Sequence, residues 1–376
     1  MKHVIIAHYF QPGSAATNRI IAYAQGFVYN NIRVSLILGS EKENVIPLIQ
    51  VENMLKVFMV QAPHGYLLNR SIAQQVKKIY TDNNSMAILI YGSPVLCWFL
   101  PRSKYNIFYE CTEVPFYGRA KTLGNRIKEE IKVILAKRAT GMLVISNSLE
   151  QYFRGKGIKS IAVINMFVDA RRFDGIQISK NEKYVAYCGT VSPIKDGVDC
   201  LIKAFALFHK THSDYDLIII GRFESENAEK TLRALVKDLN VECSVRFTGM
   251  VKPEEMPSLL CGANMLALAR PNNEQAKYGF PTKLGEYLAT GKPVIVTNVG
   301  EISDFLQDGV NCRMANSGDP EAFALCMDWV ADNYSEAITI ASKGKELTEN
   351  EFSSVVQSKK AISFMDACIV LNETLK

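Results

Sequence analysis

The sequence predicts an α/β protein with two doubly wound domains. Strand-like apolar segments alternate with helix-like segments along the chain, which is typical of parallel sheets covered by helices. The chain has 376 residues, more than one ordinary hydrophobic core accommodates. Two successive doubly wound domains would leave a cleft between the carboxyl ends of their strands, where ligands usually bind.

The first domain is predicted to span residues 1–174. Short runs rich in valine, isoleucine and leucine indicate its strands, and helical stretches lie between most of them. The predicted strands cover residues 4–7, 34–38, 57–61, 87–91, 107–109 and 142–145.

The second domain is predicted to span residues 175–350, beginning within the polar segment from Asp174 to Lys183. That segment carries Gly175 and several charges without a periodic apolar pattern, which is typical of a domain boundary. The predicted strands of this domain cover residues 184–188, 217–220, 245–248, 265–269 and 294–296.

Composition narrows the functional classes. The longest apolar stretch, residues 86–100, contains Gly92-Ser93-Pro94 and is too short to cross a bilayer. A strand-like segment follows the first three residues directly, so no signal peptide is expected.

The nine cysteines and five histidines lack metal-ligand spacing, so reduced thiols and no metal site are expected. The net charge of +5 permits an anionic substrate or membrane surface, and nucleic acid is not a predicted partner.

Residues 280–296 carry the most informative motif. Pro281-Thr282 predicts the opening of a helix, Gly291 predicts its end, and a buried strand follows. The free backbone N–H groups at such an opening attract phosphate. Glu286 lies four residues after Thr282 on the same helix face, where its carboxylate could accept hydrogen bonds from ribose hydroxyls. The motif therefore predicts a nucleotide-sugar site.

The segment from Arg119 to Arg138 predicts an amphipathic helix. Its apolar stripe consists of Leu123, Ile127, Ile131, Ile134 and Leu135. Its basic residues are Arg126, Lys128, Lys132, Lys137 and Arg138. The favoured interpretation is a surface helix that packs its stripe on the core. The alternative is a basic face that lies against anionic lipid.

Several segments, in order and spacing, resemble the family 4 retaining glycosyltransferases of the GT-B architecture. They cover residues 9–19, 143–148, 163–169, 188–197, 218–221 and 245–251, together with the motif above. The resemblance runs over nearly the whole chain and is to the type that builds bacterial polysaccharides. It implies two Rossmann-like domains facing across a cleft, the first for the acceptor and the second for the nucleotide sugar. It also implies that the final helical segment, residues 351–376, packs back toward the first domain.

The resemblance assigns a catalytic cation to Lys195, which would stabilise the donor diphosphate in a loop where Gly189 allows close backbone approach. The family usually has an arginine five residues earlier, where this chain has Thr190. Arg270, at the end of a predicted strand, is a candidate substitute.

The family's pair of glutamates is altered here. The position of the first, which touches the donor sugar, is Tyr278, and the second, which binds ribose, is Glu286. Glu274 and Lys277 are candidates for the space of the missing carboxylate. The complete predicted donor-binding set is Gly189, Thr190, Val251, Arg270, Tyr278, Gly279, Phe280, Pro281, Thr282 and Glu286.

On the acceptor side, two carboxylates follow the predicted strand 107–109. A side chain at the carboxyl end of a strand faces the cleft in this architecture, so Glu113 is the first candidate for orienting the acceptor hydroxyl and Glu110 the second. A loop carboxylate satisfied by its neighbours is the alternative for both. The remaining acceptor-side candidates are His8, Gly13, Ser14 and Asn18, although His8 also suits a packed histidine.

The resemblance implies transfer of a sugar, hexosyl or N-acetylhexosaminyl, with retention of anomeric configuration. The expected donor is a nucleotide diphosphate sugar, preferably a UDP-sugar, acting as co-substrate without another cofactor. The expected acceptor is a glycan or lipid-linked hydroxyl in surface polysaccharide synthesis, at a cytoplasmic or peripheral membrane location. Because GT-B enzymes resemble one another in needing no metal, Asp214-Tyr215-Asp216 is interpreted as a turn. The alternatives are a nucleotide-sugar epimerase and an inactive binding partner of another transferase.

Overall fold

The chain divides into two compact units. A computed structural model describes residues 1–10, 14–41, 54–80, 86–113, 123–178 and 182–374. Unit 1 comprises residues 1–167 and 354–376, and unit 2 comprises residues 168–353. The boundary therefore precedes the predicted one at 174/175. The reason is that Val168 bonds to the Phe352 carbonyl at 3.0 Å and Phe173 is buried, which anchors this segment in unit 2.

Unit 1 contains seven strands and six helices among the described residues. The strands are β1 (His3–Tyr9), β2 (Arg33–Ser40), β3 (Leu55–Gln61), β4 (Met86–Tyr91), β5 (Ile107–Cys111), β6 (Gly141–Val144) and β7 (Ile161–Val163). The helices are α1 (Ala15–Tyr29), α2 (Tyr66–Ile79), α3 (Leu96–Phe99), α4 (Leu123–Ala136), α5 (Asn147–Gly155) and, from the end of the chain, α14 (Ser354–Thr374).

The sheet of unit 1 is parallel, with the strand order β3-β2-β1-β4-β5-β6-β7. The chain first builds outward from β1 in one direction and then continues from β4 in the other, so the order reverses between β1 and β4. The six predicted strands are present. The seventh, β7, was not predicted because it has only three residues and two of them are half-buried.

Unit 2 contains six strands and eight α-helices in the part of it that the structure describes. The strands are β8 (Lys183–Cys188), β9 (Tyr215–Ile220), β10 (Val245–Gly249), β11 (Met265–Leu268), β12 (Val294–Thr297) and β13 (Arg313–Ala315). The α-helices are α6 (Pro193–Asp196), α7 (Val198–Phe208), α8 (Glu226–Asp238), α9 (Met256–Gly262), α10 (Glu274–Tyr278), α11 (Lys283–Ala289), α12 (Pro320–Asp332) and α13 (Tyr334–Asn350). Two 3₁₀ helices cover Ala170–Phe173 and Ile302–Asp304.

The sheet of unit 2 is also parallel, in the order β10-β9-β8-β11-β12-β13. Its order reverses between β8 and β11. The five predicted strands are present, and the three-residue β13 was not predicted. Both units therefore have the doubly wound α/β form that the alternation of strands and helices predicts.

The last helix, α14, belongs to the hydrophobic core of unit 1. Ala361, Met365 and Ile369 are buried together with residues of β1 and α1. Gly26 on α1 permits the close approach, because a Cβ there would lie 2.2 Å from Ser358 Oγ and 2.3 Å from the Ser354 carbonyl oxygen. The chain thus returns to unit 1 after completing unit 2.

The structure of α4 contradicts the prediction that its apolar stripe packs on the core. The stripe that was expected to pack on the core is largely exposed, with fractions of 75% for Leu123, 53% for Ile127, 48% for Ile131 and 59% for Ile134. The buried face instead carries Glu129, Val133 and Ala136, which follow the same helical spacing. Of the predicted stripe, Leu135 alone is buried. Residues 119–122 lie outside the described residues.

Candidate active site

The carboxyl edge of the unit 2 sheet brings together most of the predicted donor residues. Gly189 and Thr190 follow β8, and Arg270 lies two residues after β11. Because β8 and β11 flank the reversal of strand order, the loops after them diverge and leave a crevice. Ligands of doubly wound sheets bind in such crevices.

The loop between β8 and α6 packs closely on its neighbours. A Cβ at Gly189 would lie 2.2 Å from the ammonium nitrogen of Lys283, so a larger residue would displace that side chain. A Cβ at Gly197 would lie 2.0 Å from the Ala269 carbonyl oxygen, and Gly197 has a φ of +65°. These two glycines let the loop approach both Lys283 and the end of β11.

Asp196 is the centre of a buried polar cluster. Its Oδ2 accepts a short hydrogen bond from Lys283 Nζ and lies 2.8 Å from the Tyr187 hydroxyl. The Tyr187 hydroxyl also lies 2.7 Å from the Thr190 carbonyl oxygen, which connects the cluster to the loop. Arg270 Nε lies 3.8 Å from Asp196 Oδ1. Two cations and one carboxylate therefore meet beside the β8 loop.

The electrostatics of this cluster favour an ionised carboxylate. Burial opposes ionisation of Asp196, but the charges of Lys283 and Arg270 outweigh it, so the pKa of Asp196 lies below its usual value. The Lys283 side chain retains 15% exposure, whereas that of Asp196 has 2%. Within this pair, the lysine side chain therefore keeps more contact with solvent than the aspartate does.

The helix α11 begins later than predicted. Its first residue is Lys283, and Pro281 is buried two residues before it. Thr282 occupies the N-cap with helical backbone angles and makes no side-chain capping bond. Pro281 therefore precedes the helix by two residues instead of being its first residue, although its carbonyl oxygen accepts a hydrogen bond of 3.0 Å from the Leu284 N–H in the first turn. Gly291 ends this region with a φ of +69°, in agreement with its predicted role.

Glu286 on α11 is held by an arginine that the sequence analysis did not identify. Arg172 Nη1 donates a hydrogen bond of 2.8 Å to Glu286 Oε1, and the two side chains are 31% and 18% exposed. The next residue, Tyr287, is buried, and its hydroxyl accepts from the Cys188 N–H at 2.6 Å. Glu286 is thereby positioned next to the end of β8.

Other predicted donor residues have varied environments. Thr190, Lys195, Val251 and Tyr278 are half-buried. The Lys195 backbone N–H donates to Ser192 Oγ at 3.0 Å, which caps α6. Gly279 ends α10, and its N–H donates to the Gln275 carbonyl.

Phe280 does not have the placement expected for a donor contact. Its ring lies in a buried aromatic cluster, 5.6 Å from that of Phe305 and 5.8 Å from that of Phe352. The hydrophobic environment accounts for this residue without a ligand.

A family comparison covers the region of this site. Residues 182–333 match the family model described as "Glycosyl transferases group 1", and that region contains the Asp196 cluster and every predicted donor residue. This part of the chain is therefore similar to the group 1 glycosyltransferases. The predicted resemblance to GT-B glycosyltransferases of family 4 is thereby confirmed.

This chain is similar to curated proteins over part of its length. It is 27% identical over 177 residues to a D-inositol 3-phosphate glycosyltransferase of Corynebacterium urealyticum, covering 46% of this chain and 40% of that protein. It is 28% identical to N-acetyl-alpha-D-glucosaminyl L-malate synthase of Bacillus anthracis, over 57% of this chain and 54% of that protein. The matched region spans only about half the length of these relatives or less.

Solved structures share the fold over almost the whole chain. HepE of Anabaena, determined in complex with UDP, has a TM-score of 0.71 at 18% identity, covering 98% of this chain and 100% of that one. Sucrose-phosphate synthase from Thermosynechococcus elongatus has a TM-score of 0.75 at 15% identity, covering 99% and 100% of the two chains. The predicted GT-B fold class is therefore confirmed.

In unit 1, Glu110 is placed differently from an acceptor-orienting group. It is 1% exposed, and its Oε1 accepts from Arg19 Nε at 2.8 Å and from the Tyr23 hydroxyl at 3.1 Å. Arg19 also donates to the carbonyl oxygens of Ile164 and Asn165 at 2.9 and 3.0 Å. This closed arrangement favours a structural role over the predicted catalytic one, because the carboxylate is neither exposed nor available to a substrate.

Of the other acceptor-side candidates, His8 lies on β1, and Ser14 and Asn18 lie at the start of α1, beside the reversal of strand order in unit 1. Glu113 is exposed. Ser14 caps α1 by accepting from the Thr17 N–H at 3.1 Å, and Asn18 is half-buried on the same helix. His8 is buried against Tyr91, and burial lowers its pKa to about 4, so it is neutral at pH 7. Gly13 lies outside the described residues.

The Asp214-Tyr215-Asp216 segment lies at the opposite edge of the unit 2 sheet from the Asp196 cluster. Asp214 precedes β9 and forms an ion pair of 2.7 Å with Lys183 at the start of β8. Asp214 lies in a turn, as predicted, whereas Tyr215 and Asp216 already belong to the start of β9. The described ranges contain no group of three or more metal-ligating side chains.

A second concave region lies at the carboxyl ends of β9 and β10. It has a volume of about 520 Å³, and Phe223, Phe247 and Met250 contribute apolar surface. Its lining carries two glutamates, Glu226 and Glu229, and two arginines, Arg222 and Arg233, and Arg233 pairs with Glu229 at 2.9 Å. The charges of this cavity therefore offset one another, whereas two cations face one carboxylate at Asp196.

Proposed function

We propose that this glycosyltransferase moves a sugar from a nucleotide diphosphate donor, preferably a UDP-sugar, to an acceptor hydroxyl. The observation that carries the proposal is the convergence of Lys283 and Arg270 on Asp196 beside the glycine loop of unit 2. We further propose a hexosyl or N-acetylhexosaminyl donor and a glycan or lipid-linked acceptor in surface polysaccharide synthesis. The reaction would proceed at the cytoplasmic side of the membrane, without a catalytic metal.

Cations at this position would act on the leaving group. When the glycosidic bond breaks, negative charge grows on the diphosphate, and a fixed cation stabilises that charge more than it stabilises the ground state. Asp196 and the Tyr187 hydroxyl hold the Lys283 ammonium in place before a donor arrives. Preorganisation of this kind avoids the cost of reorienting the cation during the reaction.

Lys283 thus supplies the phosphate-binding cation that this chain lacks at Thr190, where the family usually has an arginine. Its ammonium lies where a Cβ of Gly189 would be, in the loop that follows β8. Lys195, on α6, remains the second candidate for the same diphosphate. Glu286 would bind the ribose, with Arg172 orienting the carboxylate through its hydrogen bond of 2.8 Å.

The family resemblance supports retention of anomeric configuration. In this mechanism the acceptor attacks from the face that the diphosphate leaves, and a phosphate oxygen assists removal of the acceptor proton. Glu113 is the remaining carboxylate candidate on the acceptor side, since it is exposed where Glu110 is buried. The anomeric configuration of the product, read by NMR, tests this part of the proposal.

The donor site is tested by thermal denaturation with UDP, GDP, ADP and CMP, each added alone and without metal. A ligand that binds only the native state raises the melting temperature, and we expect UDP to do so. Lys283→Ala should abolish the shift and reduce turnover about 10²–10³-fold, the effect of removing one group that stabilises transition-state charge.

Lys183→Ala is the matched control, because Lys183 also pairs with an aspartate but lies at the opposite edge of the same sheet. It should keep both the UDP shift and the turnover. Lys195→Ala, tested in parallel, should also reduce turnover if both lysines contact the diphosphate. Lys283→Ala with an unchanged UDP shift and normal turnover would contradict the role of Lys283.

An inactive binding partner is the second candidate function. It is favoured by Thr190 and Tyr278, which replace the family's arginine and first glutamate, and by the engagement of Glu286 with Arg172. A UDP shift without turnover across a panel of UDP-sugars and acceptors would establish it. Interconversion of a free UDP-sugar and its epimer would instead establish the epimerase alternative.

A further inference from the structure

The exposed side of α4 in unit 1 carries a row of aliphatic residues that the donor site does not explain. We call its four aliphatic residues, Leu123, Ile127, Ile131 and Ile134, the apolar face of α4. At about 100° per residue they fall within an arc of about 80° on the helix. Each has close to half or more of its surface exposed. Single exposed aliphatic residues are ordinary, but four on one face mark an interaction surface.

Exposed aromatic side chains lie on α3, which contacts α4, and on α2, which contacts α3. Trp98 on α3 is 61% exposed, and the Arg138 guanidinium lies 4.9 Å from its ring centroid. Tyr66 at the start of α2 is 63% exposed, and its ring lies 5.3 Å from that of Phe99. Tryptophan and tyrosine favour the boundary between water and hydrocarbon, where one end of the ring is apolar and the other is hydrated.

The charges around the apolar face are predominantly basic. Lys128, Lys137 and Arg138 are exposed, and Lys132 is 38% exposed. The two acidic residues of α4 are each engaged by a lysine, Glu129 by Lys132 at 3.0 Å and Glu130 by Lys156 at 2.6 Å. An anionic surface would therefore meet cations around the apolar residues.

We infer that the apolar face of α4 inserts into the surface of an anionic lipid bilayer, with the surrounding lysines and Arg138 against the lipid headgroups. A helix of this type lies in the plane of the interface and does not cross the membrane. Consistently, no helix in the described part of the chain is long and apolar enough to span a bilayer.

A second copy of the chain is the competing occupant. It would cover the apolar residues but would bring two sets of lysines together, and like charges repel. Anionic lipid satisfies both the apolar residues and the cations, which is why the inference favours a bilayer. This surface belongs to unit 1 and involves none of the residues assigned to the donor site.

Vesicle flotation tests the inference with the full-length chain. We expect binding to vesicles of phosphatidylcholine and phosphatidylglycerol, and at least tenfold weaker binding to vesicles of phosphatidylcholine alone. The triple variant Ile127→Ser/Ile131→Ser/Ile134→Ser should bind the anionic vesicles at least tenfold more weakly than the wild type. Val370→Ser/Leu371→Ser is the matched control, because these residues are 60% and 56% exposed on α14 of the same unit, and it should bind like the wild type.

Fluorescence gives a readout local to the surface. The chain has two tryptophans, so Trp329→Phe leaves Trp98 as the reporter. Its emission should shift to shorter wavelength when anionic vesicles are added, since the indole leaves water. An unchanged emission, or vesicle binding by the triple variant equal to that of the wild type, would overturn the inference.

Two further measurements separate this inference from its alternatives. A dimer in sedimentation velocity that dissociates in the triple variant, without vesicle binding by the wild type, would replace the bilayer with a second copy. The triple variant should keep the UDP-induced thermal shift, so failure of the donor proposal and failure of membrane binding give different results.

Discussion

Each unit holds a buried carboxylate against a cation near the carboxyl edge of its sheet, yet the two pairs differ in accessibility. In unit 1, Arg19 and Glu110 have side-chain exposures of 2% and 0%, and Arg19 completes its hydrogen bonds with two main-chain carbonyls. In unit 2, Lys283 retains 15% exposure beside a glycine loop. The comparison teaches that accessibility, more than the presence of an ion pair, separates a structural pair from a ligand site.

The pKa values of Glu110 and Asp196 also distinguish the two pairs, because they shift in opposite directions. Burial raises the pKa of Glu110, and the charge of Arg19 does not fully offset it. Burial also tends to raise the pKa of Asp196, but the charges of Lys283 and Arg270 together outweigh it and lower the pKa. Two cations around one carboxylate give unit 2 a cationic site, whereas the pair in unit 1 is closed.

The largest expected effect is on the closed pair. Arg19→Met leaves the Glu110 carboxylate buried without its partner, and breaking such a pair costs about 3–5 kcal/mol. Because the chain has two units, hydrogen exchange followed by mass spectrometry is the appropriate measurement. The amide hydrogens of α1 and β5 should exchange faster in the variant than in the wild type. Those of unit 2 should exchange at the wild-type rate. Arg33→Met, at an exposed arginine of the same unit, is the control.

If Arg19→Met lowers the free energy of unfolding of unit 1 by less than about 1 kcal/mol, the range of an exposed ion pair, then Arg19 and Glu110 do not form a closed structural pair. Arg19→Met/Glu110→Leu should recover part of the stability, because replacing both members removes the unpaired charge. Glu110→Gln should keep turnover within a few-fold of the wild type if its role is structural. A large loss of turnover with normal hydrogen exchange would restore the predicted catalytic role.

The next effect concerns the contact between α1 and α14. Gly26→Ala places a methyl group 2.2 Å from Ser358 Oγ and 2.3 Å from a backbone oxygen, so the helices must separate. We expect unit 1 to lose about 1–3 kcal/mol of unfolding free energy, the usual cost of overpacking. Gly124→Ala on α4 has nothing within 4 Å and should be neutral or stabilising. Equal stabilities of the two variants in chemical denaturation would refute the tight contact.

The pH dependence distinguishes the two carboxylates by sign. Asp196 has a lowered pKa, so its contribution is present above pH 3.8 and is lost as the pH falls through its folded value. Glu110 has a raised pKa, so its contribution is present below pH 4.5 and is lost as the pH rises through its folded value. Each tenfold change in proton affinity corresponds to about 1.4 kcal/mol.

Asp196→Asn and Glu110→Gln should therefore show opposite trends when unfolding is measured from pH 3 to pH 7. The stability advantage of the wild type over Asp196→Asn should grow as the pH rises and then level off. Its advantage over Glu110→Gln should shrink over the range in which Glu110 ionises. Trends of the same sign would show that the surroundings of the two carboxylates do not differ as described.

The smallest expected effect is at Arg172. Because this side chain is 31% exposed, Arg172→Ala should cost less than about 1 kcal/mol of stability. If Glu286 binds ribose, loss of its orienting partner should weaken UDP binding a few-fold while turnover at saturating donor changes little. Calorimetric titration with UDP measures the first quantity and steady-state kinetics the second. An unchanged dissociation constant would argue against a role for Arg172 in the donor site.

The sequence determined the architecture because its apolar periodicity is local. Runs such as residues 184–188 and 294–296 contain enough buried aliphatic residues to define strands without knowledge of their partners. The motif around Glu286 likewise predicted a nucleotide-sugar site, and it lies within residues 182–333, which match the group 1 glycosyltransferase model. The short strands β7 and β13 escaped prediction because three residues carry too little pattern.

Tertiary structure decided which lysine enters the Asp196 cluster and which face of α4 is covered. Lys283 and Asp196 lie 87 positions apart and meet only because β8 and β11 are neighbours in the sheet. Lys283 follows directly after Thr282 in the predicted motif, but its direction depends on the strand order. On α4, helical spacing defines two faces, one with Ile127 and Ile131 and one with Glu129 and Val133. The fold buries the second face, a choice that periodicity alone does not contain.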